Sequence, residues 1–281
     1  MRLGLVSWAR SGAAHDGGEL PVGTISDYAS GLVEPVYRTI IGLARTVFFV
    51  EGLKFTVKGD EHIPARGGAV LAVNHTGYMD FTYAGLPVRT PKRYIRFMAK
   101  KEVFDDKISG PIMRALKHIP VDRSAGADSY KAAVAYLRRG ELVGVYPEAT
   151  ISRSFEIKEF KSGAARMAIE AEVPIIPIVI WGAQRVWTKG FPKRLGRTNT
   201  PISIAVGEPI QPFEPAAELT AKLRSTMQEM LLDLQKDYVH EPGAYWVPAR
   251  LGGSAPTLEE ADAMDAAEAE AKAARKNAAG Q

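Results

Sequence analysis

The chain has 281 residues, no cysteine, and 36 Lys and Arg against 32 Asp and Glu, a formal net charge of +4. That length suffices for one large α/β domain or a domain with appendages, and the lack of cysteine excludes disulfides, thiolate metal sites and a cysteine nucleophile. The small positive excess permits an anionic partner without requiring one.

Residues 1–30 read as an N-terminal extension: a short apolar start is soon broken by Arg10, His15 and Asp16, which leaves no secretory core. Residues 31–57 read as an amphipathic helix. Arg38 and Arg45 cut its apolar run, 32–53, into pieces far shorter than the roughly 20 residues that span a bilayer. On a helical wheel Glu34, Arg38 and Arg45 form a charged stripe, with Val36, Ile40, Leu43, Val47 and Val50 opposite. Two readings stay open, a face packed on the core or a helix lying in a headgroup layer.

Residues 58–240 alternate strand-like and helix-like stretches. Short apolar runs at 68–73, 94–99, 118–121, 142–146, 175–180 and 202–206, often bounded by Gly or Pro, predict strands. Helix periodicity falls near 78–86, 108–116, 126–139, 160–171 and 215–238. Such alternation predicts an α/β fold, a sheet covered by helices. Residues 241–281 read as a Gly- and Pro-rich linker and an exposed helical or disordered tail. The tail opens on a capping box, Thr257-x-x-Glu260, and carries mostly alanine as its apolar content.

Directly after the first apolar run stands Asn74-His75-Thr76-Gly77-Tyr78-Met79-Asp80. Residues five apart within one helix point about 140° apart, so His75 and Asp80 meet only if His75 lies in a turn and Asp80 opens the next helix. A carboxylate on one imidazole nitrogen leaves the other able to take a proton. A turn histidine beside a capping carboxylate would give the same short pattern.

Four stretches follow in order, "IPVDRSAG" at 119–126, "VYPEATISRS" at 145–154, "FKSGAARMA" at 160–168 and "VPIIPIVI" at 173–180. With "NHTGYMD" they resemble the blocks of the glycerolipid acyltransferases, the family of 1-acylglycerol-3-phosphate and glycerol-3-phosphate acyltransferases. The resemblance runs over about residues 58–210, where "KGDEHIP" and "MAKKEVF" also match family positions. It implies a single glycerophosphate-acyltransferase-like domain with a mixed β-sheet. His75 and Asp80 match the family's catalytic pair, and Asn74 the residue before the histidine. Arg123 matches an arginine implicated in holding the acceptor phosphate, and Glu148 and Thr150 fall in the third block. Lys100 and Lys161 are similar to family lysines near the site. That third block departs from the family pattern: Ala149 stands for glycine, Ile151 for arginine, and the nearest arginine is Arg153. Alanine resists positive φ, which predicts a reshaped turn, and Arg153 becomes a candidate phosphate ligand.

The resemblance implies acyl-CoA or acyl-carrier protein as donor, a lysophospholipid or glycerol-phosphate acceptor, and neither cofactor nor metal. With no cysteine and no G-x-S-x-G elbow, direct transfer in a ternary complex is expected. The loop at 181–197 interleaves Trp181, Trp187 and Phe191 with Arg185, Lys189, Lys193, Arg194 and Arg197. It suits a headgroup layer or a CoA phosphate, and single-stranded nucleic acid equally. The resemblance favours the lipid, with no nucleic-acid partner and a peripheral or monotopic place on the cytoplasmic face of a membrane. A different acceptor, or a catalytically silent lipid-binding protein of the same fold, are the competing readings. Oligomeric state stays open.

Overall fold

The computed structural model describes residues 26–122, 126–194 and 196–279. Seven strands form one sheet: β1 (Lys54–Lys58), β2 (Ala69–Val73), β3 (Ile95–Lys100), β4 (Ile119–Val121), β5 (Leu142–Val145), β6 (Ile175–Trp181) and β7 (Pro201–Val206), in the order β1-β7-β6-β2-β5-β3-β4. The sheet is mixed, as expected. All neighbours run parallel except β6 and β7, which are antiparallel. The helices are α1 (Ser26–Val50), α2 (Asp80–Tyr83), α3 (Lys101–Asp105), α4 (Ser109–Ala115), α5 (Gly126–Arg138), α6 (Gly163–Ala171), α7 (Ala216–Lys236) and α8 (Leu258–Ala279).

Central strand β2 explains the layering. All five of its residues are fully buried, because parallel strands in mid-sheet are covered on both faces. With period two, Val70 and Ala72 enter one core with α5, α6 and α7, while Ala69, Leu71 and Val73 enter a second with α1 and α2. The result is a sheet between two helical layers.

Edge strand β1 falls inside the segment read from sequence as the end of the amphipathic helix. Its alternating half-burial is what an edge strand shows, and a run this short carries too little periodicity to separate the two readings. The first helix turns inward a face other than the Leu43, Val47 and Val50 stripe. Ile41, Ala44 and Phe48 lie against the body, with Phe48 at 5.3 Å from the Tyr83 ring, and Tyr37 Oη donates to Ile95 O. Leu43, Val47, Phe49 and Val50 are exposed.

The segment after residue 240, expected as a linker, packs into the body. Trp246 and Val247 are buried in the α7-side core, and Ala255 and Ala261 are buried further along. The predicted capping box opens α8: Thr257 N–H donates to Glu260 Oε2 at 2.8 Å and Glu260 N–H to Thr257 Oγ1 at 3.2 Å. Among the described residues no helix is long and apolar enough to cross a membrane.

Candidate active site

The site lies beyond the carboxyl ends of β2, β3 and β5, where open α/β sheets place their ligands. β2 is followed by Asn74, whose side chain extends the sheet by one rung. Its Nδ2 donates to Ile180 O at 3.0 Å, and Ile180 N–H donates to its Oδ1 at 2.7 Å. Asn74, expected to touch substrate, is buried with both amide atoms spent on β6, so it positions the turn instead.

The turn then sets His75 and Asp80 face to face in the arrangement the spacing required. His75 Nδ1 lies 2.9 Å from Asp80 Oδ2, and the same oxygen accepts the Thr76 and Gly77 amides at 2.8 Å each. Asp80 is fully buried at the first turn of α2. An oxygen that already accepts two amide hydrogens makes Nδ1 the protonated nitrogen and leaves Nε2 with its lone pair. The imidazole stacks on Tyr146, ring centroids 4.0 Å apart, and the Tyr146 ring in turn stacks on Phe97. Gly77 sits in a tight place: a Cβ there would stand 3.0 Å from Trp187 O and 3.2 Å from Ala183 O, so the backbone around it would have to give by a few tenths of an ångström.

Glu148 follows β5 and fastens two segments. Its Oε1 accepts the His75 amide at 2.8 Å and its Oε2 the Lys158 amide at 3.1 Å. Burial pushes its carboxyl up to about 7, against the pull of those two amides and of the Lys158 charge. It too braces the site. The next turn corrects an expectation. Ala149 takes the left-handed conformation, φ 61°, that glycine adopts without penalty, so the positive φ is kept and the strain accepted. The chain then reroutes inward: Ile151, Phe155 and Ile157 are buried, Ser152 Oγ donates to Glu156 O, and Ser152 N–H donates to His75 O at 2.7 Å.

The remaining basic candidates scatter. Lys100 stands exposed at the end of β3 and Lys161 exposed just before α6, while Arg123 lies outside the described residues. Arg153 does not point to open solvent. Its Nε donates to Asp265 at 3.0 Å and its Nη2 to Glu268 at 2.6 Å, both on α8. Lys158 Nζ donates to Thr150 Oγ1 at 2.9 Å and to Asp265 at 2.7 Å, and Lys189 Nζ lies 2.7 Å from both α8 carboxylates. Sequence reading passed over Lys158, Asp265 and Glu268. The one available sign was the recurrence of acids three apart, at 262, 265 and 268, along an otherwise alanine-rich helix.

Much of the basic-aromatic loop is also internal. Trp181 is buried, Trp187 packs on Tyr78 at 4.6 Å, and the Arg185 guanidinium lies 4.3 Å from the Trp246 ring centroid. Phe191 alone of its aromatics is more than a third exposed.

An apolar groove runs between α1 and the sheet, lined among others by Ile41, Ala44, Phe48, Phe81, Leu86 and Phe97. Of the residues lining it, Phe97 stacks on Tyr146, which in turn stacks on the His75 imidazole. Among the described residues no cluster of His, Asp and Glu forms a metal site.

Comparison with known proteins matches the acyltransferase family to residues 54–181. A 1-acyl-sn-glycerol-3-phosphate acyltransferase of Bacillus subtilis is 28% identical over 187 residues, 64% of this chain and 87% of that protein. One from Limnanthes douglasii is 31% identical over 161 residues, 55% of this chain and 54% of the relative, so the chain spans about half the length of that plant protein. Among solved structures, the 1-acyl-sn-glycerophosphate acyltransferase PlsC of Thermotoga maritima superposes with a TM-score of 0.59 at 20% identity, covering 78% of this chain and 86% of that one, a likeness of fold.

Proposed function

We propose that this chain, whose residues 54–181 match the acyltransferase family, carries a long-chain acyl group from acyl-CoA or acyl-carrier protein to the free hydroxyl of 1-acylglycerol-3-phosphate, making phosphatidate. The observation that carries this reading is the His75–Asp80 pair, Nδ1 to Oδ2 at 2.9 Å, beyond the carboxyl end of β2. Asp80 holds Nδ1 protonated. Nε2 then takes the hydroxyl proton as the oxygen attacks the thioester carbonyl, a contribution of about 10² to 10⁴ in rate. The tetrahedral intermediate collapses by breaking the carbon–sulfur bond, and the imidazolium returns its proton to the departing thiolate. No acyl-enzyme is needed. The groove takes the acyl chain, placing its carboxyl end beside His75.

Location follows from substrate physics. Lysophospholipid and product partition into a bilayer, and the exposed Leu43, Val47, Phe49 and Val50 of α1 offer an apolar surface beside the groove. The enzyme sits as a peripheral or monotopic protein on the cytoplasmic face, its groove open toward the lipid.

The test is thiol release from long-chain acyl-CoA with a panel of acceptors. Activity is expected with 1-acylglycerol-3-phosphate, and His75→Ala is expected to remove nearly all of it while the circular dichroism of the fold persists. Near-wild-type turnover in the folded variant sinks the mechanism. Turnover with glycerol 3-phosphate alone transfers the assignment to that acceptor.

A further inference from the structure

Three cations converge on α8 from segments tied to the catalytic turn. Arg153 follows Ser152, whose amide donates to His75 O, and the Lys158 amide donates to Glu148, the residue that also holds the His75 amide. Lys189 follows Thr188, whose Oγ1 donates to Thr76 O at 2.6 Å. Among the described residues their side chains meet Asp265 and Glu268, apart from the Lys158 contact to Thr150 and a looser approach of Lys158 to Asp262 at 4.0 Å. All three cations are largely covered, at 12–19% exposure, and so are worth more to an anion than surface lysines are.

Little else holds that part of α8. From residue 262 to residue 275 every residue is exposed except Asp265 and Glu268. The helix rests on the cations by two side chains. Burial opposes the charge on Asp265, but hydrogen bonds from Lys158, Lys189 and Arg153 hold it well below the usual carboxylate range. Lys189 and Lys272 hold Glu268 at about 2. Depressed carboxylates keep their pairing above their unfolded values and lose it only in strong acid. Near neutrality a competing anion is therefore what would open the contact.

We infer that Arg153, Lys158 and Lys189 form a cradle for a phosphate monoester, and that the Asp265 and Glu268 carboxylates of α8 occupy it as an internal competitor which the ligand must displace. Two carboxylates offer the same acceptor chemistry as a dianionic phosphate, and an arginine fork with two ammonium groups suits either. The inference rests on the proposed phosphate-bearing acceptor and says how this chain receives it without the arginine its third block lacks. Helix α8 gates that access: only the fraction of molecules with α8 lifted binds the acceptor, and the apparent affinity falls by that fraction.

Two measurements on the full chain test this. Amide exchange across 262–275 should speed several-fold on adding inorganic phosphate or glycerol 3-phosphate, and should not do so with sodium chloride at matched ionic strength. The double variant Asp265→Asn, Glu268→Gln should lower the acceptor KM about five-fold, with the acyl-CoA KM unchanged. Unchanged exchange at saturating phosphate overturns the inference, as does equal acceleration by chloride, which would reduce the contact to screened ion pairs. Release by phosphatidylglycerol vesicles alone also overturns it, assigning the cradle to a lipid surface instead. Because exchange needs no turnover, phosphate-driven release in a protein that acylates no acceptor would leave the cradle standing and fell the acyl-transfer reading. Normal turnover with unaltered exchange would do the reverse.

Discussion

His75 is held at its backbone as firmly as at its ring. Its amide is bound by Glu148, its carbonyl by the Ser152 amide and its Nδ1 by Asp80, so the imidazole has little freedom to leave its place over Tyr146. Glu148 has a cost in this arrangement. Burial raises its carboxyl from 4.5 to about 7, so the folded state keeps that proton longer than the unfolded chain does. Its contribution to stability is present at low pH and lost as pH rises through that interval, on the order of 3 kcal/mol. Urea midpoints measured from pH 4.5 to 8 should show this fall in the wild type and not in Glu148→Gln. Equal slopes would mean that another group carries the pH dependence. Ala149 stores strain nearby, about 1 kcal/mol for a left-handed alanine. Ala149→Gly should raise stability by roughly that amount less glycine's entropy penalty, leaving turnover unchanged. A loss of stability would mean that the methyl group packs better than its conformation costs.

Helix α1 has apolar residues around most of its circumference, and two stripes compete to face inward. Tyr37, Ile41, Ala44 and Phe48, spaced four, three and four apart, win because Phe48 meets the Phe55 and Tyr83 rings at 5.1 and 5.3 Å. The rival stripe, Leu43, Val47 and Val50, is left outside. Ile40, grouped with that stripe on sequence grounds, lines the groove. A membrane test must therefore leave Ile40 alone. Leu43→Ser, Val47→Ser and Val50→Ser together should keep the fold, because all three residues are exposed, and should strongly reduce flotation with anionic vesicles. Wild-type binding should weaken in salt without vanishing, as expected when apolar burial dominates over charge. Undiminished flotation of the triple variant would remove α1 as the anchor.

The molecule as a whole sets the groove's dimensions, since its walls come from α1, α2 and β3, brought together only by the sheet order. Ala44 is the smallest residue that α1 contributes to this wall. Ala44→Phe should fill part of the groove and lower kcat/KM for long-chain acyl-CoA at least ten-fold more than for short-chain donors. A uniform loss across chain lengths would place the acyl chain elsewhere. The same global arrangement brings α8 back across the site although more than 100 residues separate Asp265 from Lys158 and Arg153.

Residue pattern alone carried the strands from 69 onward, the α/β class and the His75–Asp80 pair, for local reasons. Buried parallel strands are short apolar runs with turn residues at their ends, and a five-residue spacing across a strand-to-helix turn leaves few geometries in which a carboxylate meets an imidazole. Which groups serve the substrate and which serve the turn was not legible locally. Asn74 and Glu148 look like ligands in sequence, but they spend their polar atoms on amides that only the folded sheet brings near. Arg153 looked like a spare cation until α8 supplied its carboxylates. The choice of face for α1 was likewise settled by packing, because periodicity says that a helix has an apolar side and is silent on which of two sides finds the better-fitting core. Burial, partner and face are properties of contacts between segments far apart in the chain, and no local pattern encodes them.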